Sequence, residues 1–84
     1  KSAIIVNKFG VHARSAATIA NLAAQAKKKI WIIKDDEKID ATSILDILTL
    51  GYPMGTRITF EAESETDIDI LNNIIVLVEK GFGE

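Results

Sequence analysis

Two hydrophobic periods alternate along the chain, and the places where one gives way to the other mark its elements. Ala3-Ile4-Ile5-Val6 is a short apolar run that predicts a strand, closed by Asn7-Lys8-Phe9-Gly10. From Ala13 to Lys28 the chain is alanine-rich, and Ala16, Ile19, Leu22, Ala23 and Ala26 recur at helical steps. Small alanines on that face let a helix lie close against a sheet. Ile30-Trp31-Ile32-Ile33 predicts a buried strand, Lys34 to Lys38 a polar hairpin, and Ile39 sits in a short third strand. Ser43 precedes the apolar stretch Ile44–Leu50, with Asp46 three residues on as in a capping box, and Gly51 stops it. Tyr52-Pro53-Met54-Gly55 reads as a loop.

Arg57 to Glu63 then alternates cleanly, which turns Ile58, Phe60 and Ala62 inward. Ser64-Glu65-Thr66-Asp67 is a second capping-box pattern, followed by a helical stripe of Ile68, Leu71, Ile74, Ile75 and Val78 up to Gly81. The expected order is β-α-β-β-α-β-α. Four strands and three one-faced helices make an α+β open-faced sandwich, its four-stranded sheet covered on one side. Residues 1–84 read as a single domain.

Composition narrows the function without naming it. Eighty-four residues, 26% charged and with a net charge of −2, describe an acidic module with one small core. The absence of cysteine excludes disulfides, thiolate metal sites and a cysteine nucleophile, and a single histidine argues against a metal site. The acids Asp35-Asp36-Glu37 lack the longer loop of a calcium site and read as a solvated turn. Concentrated positive charge occurs only at Lys27-Lys28-Lys29, which reads as a helix C-terminus answering the macrodipole rather than as a nucleic-acid surface. No apolar run reaches membrane-spanning length and no signal-peptide pattern opens the chain, so no membrane partner and a cytoplasmic location are expected. A start at Lys1 leaves a removed leader open.

The chemistry-bearing segment is Asn7 to Ser15. His12 falls where the first strand has ended and the first helix begins, a place where unpaired amides and a partial positive charge attract anions. Arg14 adds a permanent cation with a planar donor fork. Both disfavour imidazolium, which biases His12 toward a neutral, nucleophilic ring. The same donors would stabilise charge on a phosphoryl group moving onto that ring. No acid–base partner is evident, which suits a reversible carrier better than a hydrolase. The segment alone leaves a second reading open, in which His12 is only a capping or turn residue.

Gly10-Val11-His12-Ala13-Arg14 resembles the phosphohistidine motif of HPr, the histidine-containing phosphocarrier family of the phosphoenolpyruvate-dependent phosphotransferase system. The resemblance extends to Asn7, to the serine-headed stretch Ser43-Ile44-Leu45 with Leu48-Thr49-Leu50-Gly51, and to the ending Gly81-Phe82-Gly83-Glu84. It implies a sheet in the spatial order first, fourth, second, third strand. It implies that His12 accepts a phosphoryl group on Nδ1 from enzyme I and passes it to an enzyme IIA-type acceptor, steadied by Arg14. Asn7, Ala13 and Ser15 carry over as phosphate support, with no cofactor or metal on the carrier, although magnesium serves the enzyme I step. Ser43 matches the position that an HPr kinase/phosphorylase modifies in some members, while helix capping suffices to explain a serine there. Ile44, Leu45 and Leu48 are expected to be mostly core, with part of their surface exposed for docking partners.

One departure is Ser15, where the family usually has proline. Proline would fix φ in the first turn, whereas the serine hydroxyl is placed to reach a phosphate. A small residue there, and Asn7-Lys8-Phe9-Gly10, resemble the nitrogen-branch relatives NPr, which favours a regulatory role over sugar uptake. Two other classes stand beside the carrier: an acylphosphatase-like hydrolase, lacking an evident water-activating group, and a binding module without phosphotransfer. Trp31, Phe60 and Phe82 are expected to pack in or beside the core, while Phe9 and Tyr52 are left in loops.

Overall fold

A computed structural model describes residues 1–84. Its elements run β1 (Ser2–Ile4), α1 (Ala13–Ala23), β2 (Ile30–Lys34), β3 (Glu37–Asp40), α2 (Ile44–Leu50), β4 (Arg57–Ala62) and α3 (Ile68–Glu79). Short 3₁₀ turns at Glu65–Asp67 and Gly81–Gly83 flank α3. The sheet order is β1-β4-β2-β3, every pair antiparallel, as the sequence resemblance implies. Ser2 faces Thr59, Ile32 faces Phe60 on one side and Ile39 on the other. Because strand side chains alternate, Ile30, Ile32, Ile58 and Phe60 all turn to one face and are fully buried there. Ile19 of α1, Ile47 of α2 and Leu71, Ile74 and Val78 of α3 close over them. Alanines Ala16, Ala20 and Ala23 bring α1 close, since a helix face without long side chains packs at short range.

Several local expectations change. The first helix ends at Ala23 rather than Lys28, because Gln25 and Ala26 bond back to Leu22 and Ala23 in tight three-residue turns. Lys27 and Lys28 therefore do not answer the helix dipole. Their backbone amides instead donate to the two carboxylate oxygens of Asp67, at 2.8 and 2.9 Å. Asp67 is almost completely buried, and these two amides hold its carboxyl below the ordinary aspartate value. That use of Asp67 also breaks the expected capping box, and Ser64 caps the 3₁₀ turn through Thr66. Ile68, counted in the core stripe, is exposed, since the stripe begins one turn later at Leu71.

Trp31 lies outside the core. It sits on the open face of the sheet, its indole donating to Glu63 at 3.1 Å, with the Lys29 and Lys38 ammonium groups 5.3 and 5.0 Å from the ring centre. Phe60 is core and Phe82 packs against it, while Tyr52 is buried and Phe9 is exposed. On α2 the core expectation fails for Ile44, Leu45 and Leu48. A two-turn helix offers one narrow stripe, which Ile47 fills with Leu50 beside it, so the other three face outward. No helix is long and apolar enough to cross a membrane.

Candidate functional site

The loop between β1 and α1 is fixed by backbone before any side chain acts. Gly10 has φ +69°, and a Cβ there would lie 2.4 Å from the carbonyl oxygen of Tyr52. Only glycine fits that close approach. The next amide, Val11, donates to the same Tyr52 carbonyl at 2.9 Å. Asn7, nine-tenths buried, donates its Nδ2 to the Gly10 carbonyl and closes the loop from within. The chain thus arrives at His12 in an extended conformation, φ −126° and ψ −174°, which makes His12 the N-cap of α1.

Ser15 then locks the first turn. Its hydroxyl accepts from the His12 amide at 2.8 Å and donates to the His12 carbonyl at 3.1 Å. This corrects the expectation that the Ser15 hydroxyl reaches a phosphate: the side chain is buried and both of its hydrogen-bonding functions are engaged. The first-turn amides of Ala13, Arg14 and Ser15 precede the first intrahelical bond, from Ala16 to the His12 carbonyl at 2.8 Å.

One functional group escaped the sequence reading altogether. Gly81, Phe82 and Gly83 all adopt positive φ, and this left-handed turn brings Glu84 back to the entrance of α1. There Glu84 Oε2 meets His12 Nε2 and accepts from Arg14 Nη2 at 3.0 Å, while Oε1 accepts from Asn7 Nδ2 at 2.9 Å. Arg14 first, then His12, hold the Glu84 carboxyl below the usual glutamate range. The two glycines around Phe82 were the available signal, since such spacing permits a reversal that a partly buried Phe82 anchors. Three of the expected site residues, Asn7, His12 and Arg14, therefore converge on one anionic group. Nowhere do three His, Asp or Glu side chains gather as a metal site.

The remaining candidates lie elsewhere. Ser43 caps α2, its Oγ accepting from the Asp46 amide at 3.4 Å. Ile44, Leu45 and Leu48 form an exposed apolar strip on that helix, which packs beside α1. Tyr52 is buried with an unpaired hydroxyl, and burial pushes its phenol up to about 12.

Comparison with known proteins decides the family. Residues 1–80 match the family model described as the PTS HPr component phosphorylation site. The chain belongs to the HPr family. It is 30% identical to the phosphocarrier protein HPr of Neisseria meningitidis, over 95% of this chain and 90% of the relative. It is 36% identical to the phosphocarrier protein NPr of Shewanella violacea, over 95% and 88%. Among solved structures it is similar to HPr-C-His from Thermoanaerobacter tengcongensis, with TM-score 0.91 and 34% identity over 100% of this chain and 94% of that one. HPr-family membership makes this a phosphocarrier of the phosphotransferase system and accounts for the open-faced sandwich.

Proposed function

We propose that the chain carries a phosphoryl group on Nδ1 of His12, received from phosphorylated enzyme I and delivered to an enzyme IIA-type acceptor. The supporting observation is the convergence of His12, Arg14 and Asn7 on a single carboxylate, because donors that hold one anion beside the imidazole are suited to hold another. In this reading Nδ1 attacks phosphorus, and the Arg14 guanidinium steadies the equatorial oxygens as charge spreads over them. The first-turn amides of Ala13 and Ser15 add donors from the helix end. Ser15 contributes through its amide and through the lock on His12, not through its hydroxyl. The exposed strip Ile44, Leu45 and Leu48 next to α1 serves as the docking surface. Ser43 acts as the cap of α2, and a kinase/phosphorylase site there remains subordinate to that role.

The test is phosphorylation with phosphoenolpyruvate and enzyme I. One acid-labile phosphate is expected on the wild type and none on His12→Ala, whose cooperative thermal transition stays close to wild type because the ring is outside the core. Undiminished labelling of the variant overturns the assignment. A nitrogen-branch, regulatory role is the second reading, favoured by Ser15 and by the 36% identity to an NPr. Faster transfer to a sugar-type than to a nitrogen-type IIA domain counts against it.

A further inference from the structure

The C-terminal end of α2 has no cation of its own, since no basic residue lies in its last turn. The cation comes from the sheet instead. Lys34 ends β2, and its alternation with Ile30 and Ile32 puts it on the helix-covered face, just beyond the fully buried core. Its Nζ donates to the carbonyls of Gly51 at 2.9 Å and Leu50 at 3.4 Å, and it lies 5.4 Å from the centre of the Tyr52 ring. We propose that Lys34 is a positioning residue for His12, clamping the Gly51–Tyr52 segment on which the histidine loop rests.

The proposal rests on the carrier reading of His12 and deepens it. The route from clamp to histidine is short and made of direct contacts. Tyr52 follows the clamped Gly51 carbonyl, buries its ring in the core and turns its own carbonyl to the loop, where it accepts from the Val11 amide. Gly10 lies so close to the same carbonyl that the loop has no slack there. His12 is the next residue after Val11. At the other end Lys34 is fixed in register opposite Glu37, closing the turn Asp35-Asp36. Between these two anchors Gly51 has φ +66°, and a Cβ built on it meets nothing within 4 Å. Packing therefore does not restrain Gly51, and the ammonium does.

Attack on phosphorus requires the imidazole within a narrow range of positions, and a displacement of about 1 Å can cost about a hundredfold. Loss of the clamp broadens the position of the Tyr52 carbonyl without removing any donor from the site. The expected cost is accordingly smaller, about three- to tenfold in kcat. Binding of a partner does not draw on Lys34, whose ammonium is already engaged by two carbonyls and a ring face. The effect thus belongs to the chemical step and leaves KM unchanged.

The experiment compares the full chain with Lys34→Met, which keeps the stem but neither charge nor donors, and with Lys34→Arg, which keeps both. Asp67→Asn serves as a destabilised control far from the loop. Phosphoryl uptake from phosphorylated enzyme I over a range of chain concentrations separates kcat from KM. Exchange of the Val11 amide, followed by NMR without phosphate, reports the hold of the Tyr52 carbonyl. Lys34→Met should lower kcat by the stated factor at constant KM and speed Val11 exchange several-fold. Lys34→Arg should restore most of both, and Asp67→Asn should change neither. Equal kcat and equal Val11 exchange in wild type and Lys34→Met overturn the role of Lys34 while leaving the carrier reading intact. A rise in KM alone also overturns it, by making Lys34 a partner contact, as does an equal loss of kcat in Asp67→Asn. Absence of any phosphate on wild-type His12 instead defeats the carrier reading, and Val11 exchange still decides whether Lys34 holds the loop.

Discussion

The N-termini of α1 and α2 solve the same problem in opposite ways. Ser43 caps α2 with its own side chain, and Asp46 places an acid in the first turn. α1 has no side-chain cap hydrogen bond from His12 and no acid in its first turn; it has Arg14 instead. Positive potential at that end is therefore not answered locally. It is answered by Glu84, which the fold brings from the far end of the sequence. A helix end that balances itself is structural, while one that depends on a distant anion is free to exchange that anion for another. The contrast separates the two helix ends on structure alone, and it is the basis for assigning the proposed anion chemistry to α1 and a capping role to α2.

Breaking the contrast at α1 should have the largest effect. Arg14→Ala is expected to slow phosphoryl transfer by about one to three orders of magnitude, the range for removing one transition-state donor. Arg14→Lys should recover only part, because an ammonium does not reproduce the planar fork. Rapid-quench labelling of the three proteins decides it, and equal rates remove Arg14 from the mechanism.

Asp67 offers a structural anion to set against Glu84. Its carboxyl titrates below the ordinary 3.8 in the folded chain, held down by the Lys27 and Lys28 amides. The unfolded state consequently binds more protons between the two values. Its contribution is complete above the ordinary value and disappears as pH falls through the folded one. Asp67→Asn should lower the melting temperature at pH 7, and the gap to wild type should narrow as pH drops below about 4. A gap independent of pH contradicts the ionised carboxylate.

Ser15 sharpens the account of the first turn. Ser15→Ala removes the acceptor of the His12 amide and should cost about 1 kcal/mol. Ser15→Pro loses the same bond yet restrains the unfolded chain, recovering about 0.4–1 kcal/mol where the native φ suits proline. Chemical denaturation should therefore rank wild type and Pro above Ala. A Pro variant far less stable than Ala would contradict a first-turn position for residue 15. The smallest effect belongs to Ser43→Ala, about 0.5 kcal/mol, since its capping bond is long at 3.4 Å. A loss several times larger would mean that α2 depends on its cap more than its geometry implies.

Periodicity made most of the fold legible, because it reports which face each strand and helix buries. Ile58 and Phe60 turn inward as their alternation demands, and Leu71, Ile74 and Val78 follow the helical stripe. It failed where one residue was taken over by a distant partner. Asp67 looked like a local cap until the Lys27 and Lys28 amides claimed it; alanine propensity overran the end of α1, where Gln25 and Ala26 tighten into three-residue turns. Ile44, Leu45 and Leu48 were expected to be mostly core with part of their surface exposed, and all three are exposed, because composition cannot tell which stripe of a two-turn helix meets the core. Of the candidate site, His12 and Arg14 were marked by their place at a helix entrance and singled out by the motif Gly10-Val11-His12-Ala13-Arg14. Glu84 was not, since nothing in its neighbours states where a left-handed turn will aim it.

The edge strand sets an order in time. β1 is three residues long and is paired on one side only, with the late strand β4. It cannot be secured until β4 has formed, so its docking must follow closure of a chain segment containing most of the molecule. The same asymmetry holds in the native state, where a short edge opens at less cost than the central β2–β4 pair. The strand leads directly into Asn7 and Gly10, which seat His12. Amide exchange should accordingly be faster along β1 than along β2, and each such opening would unseat His12 while the rest of the sheet stays closed.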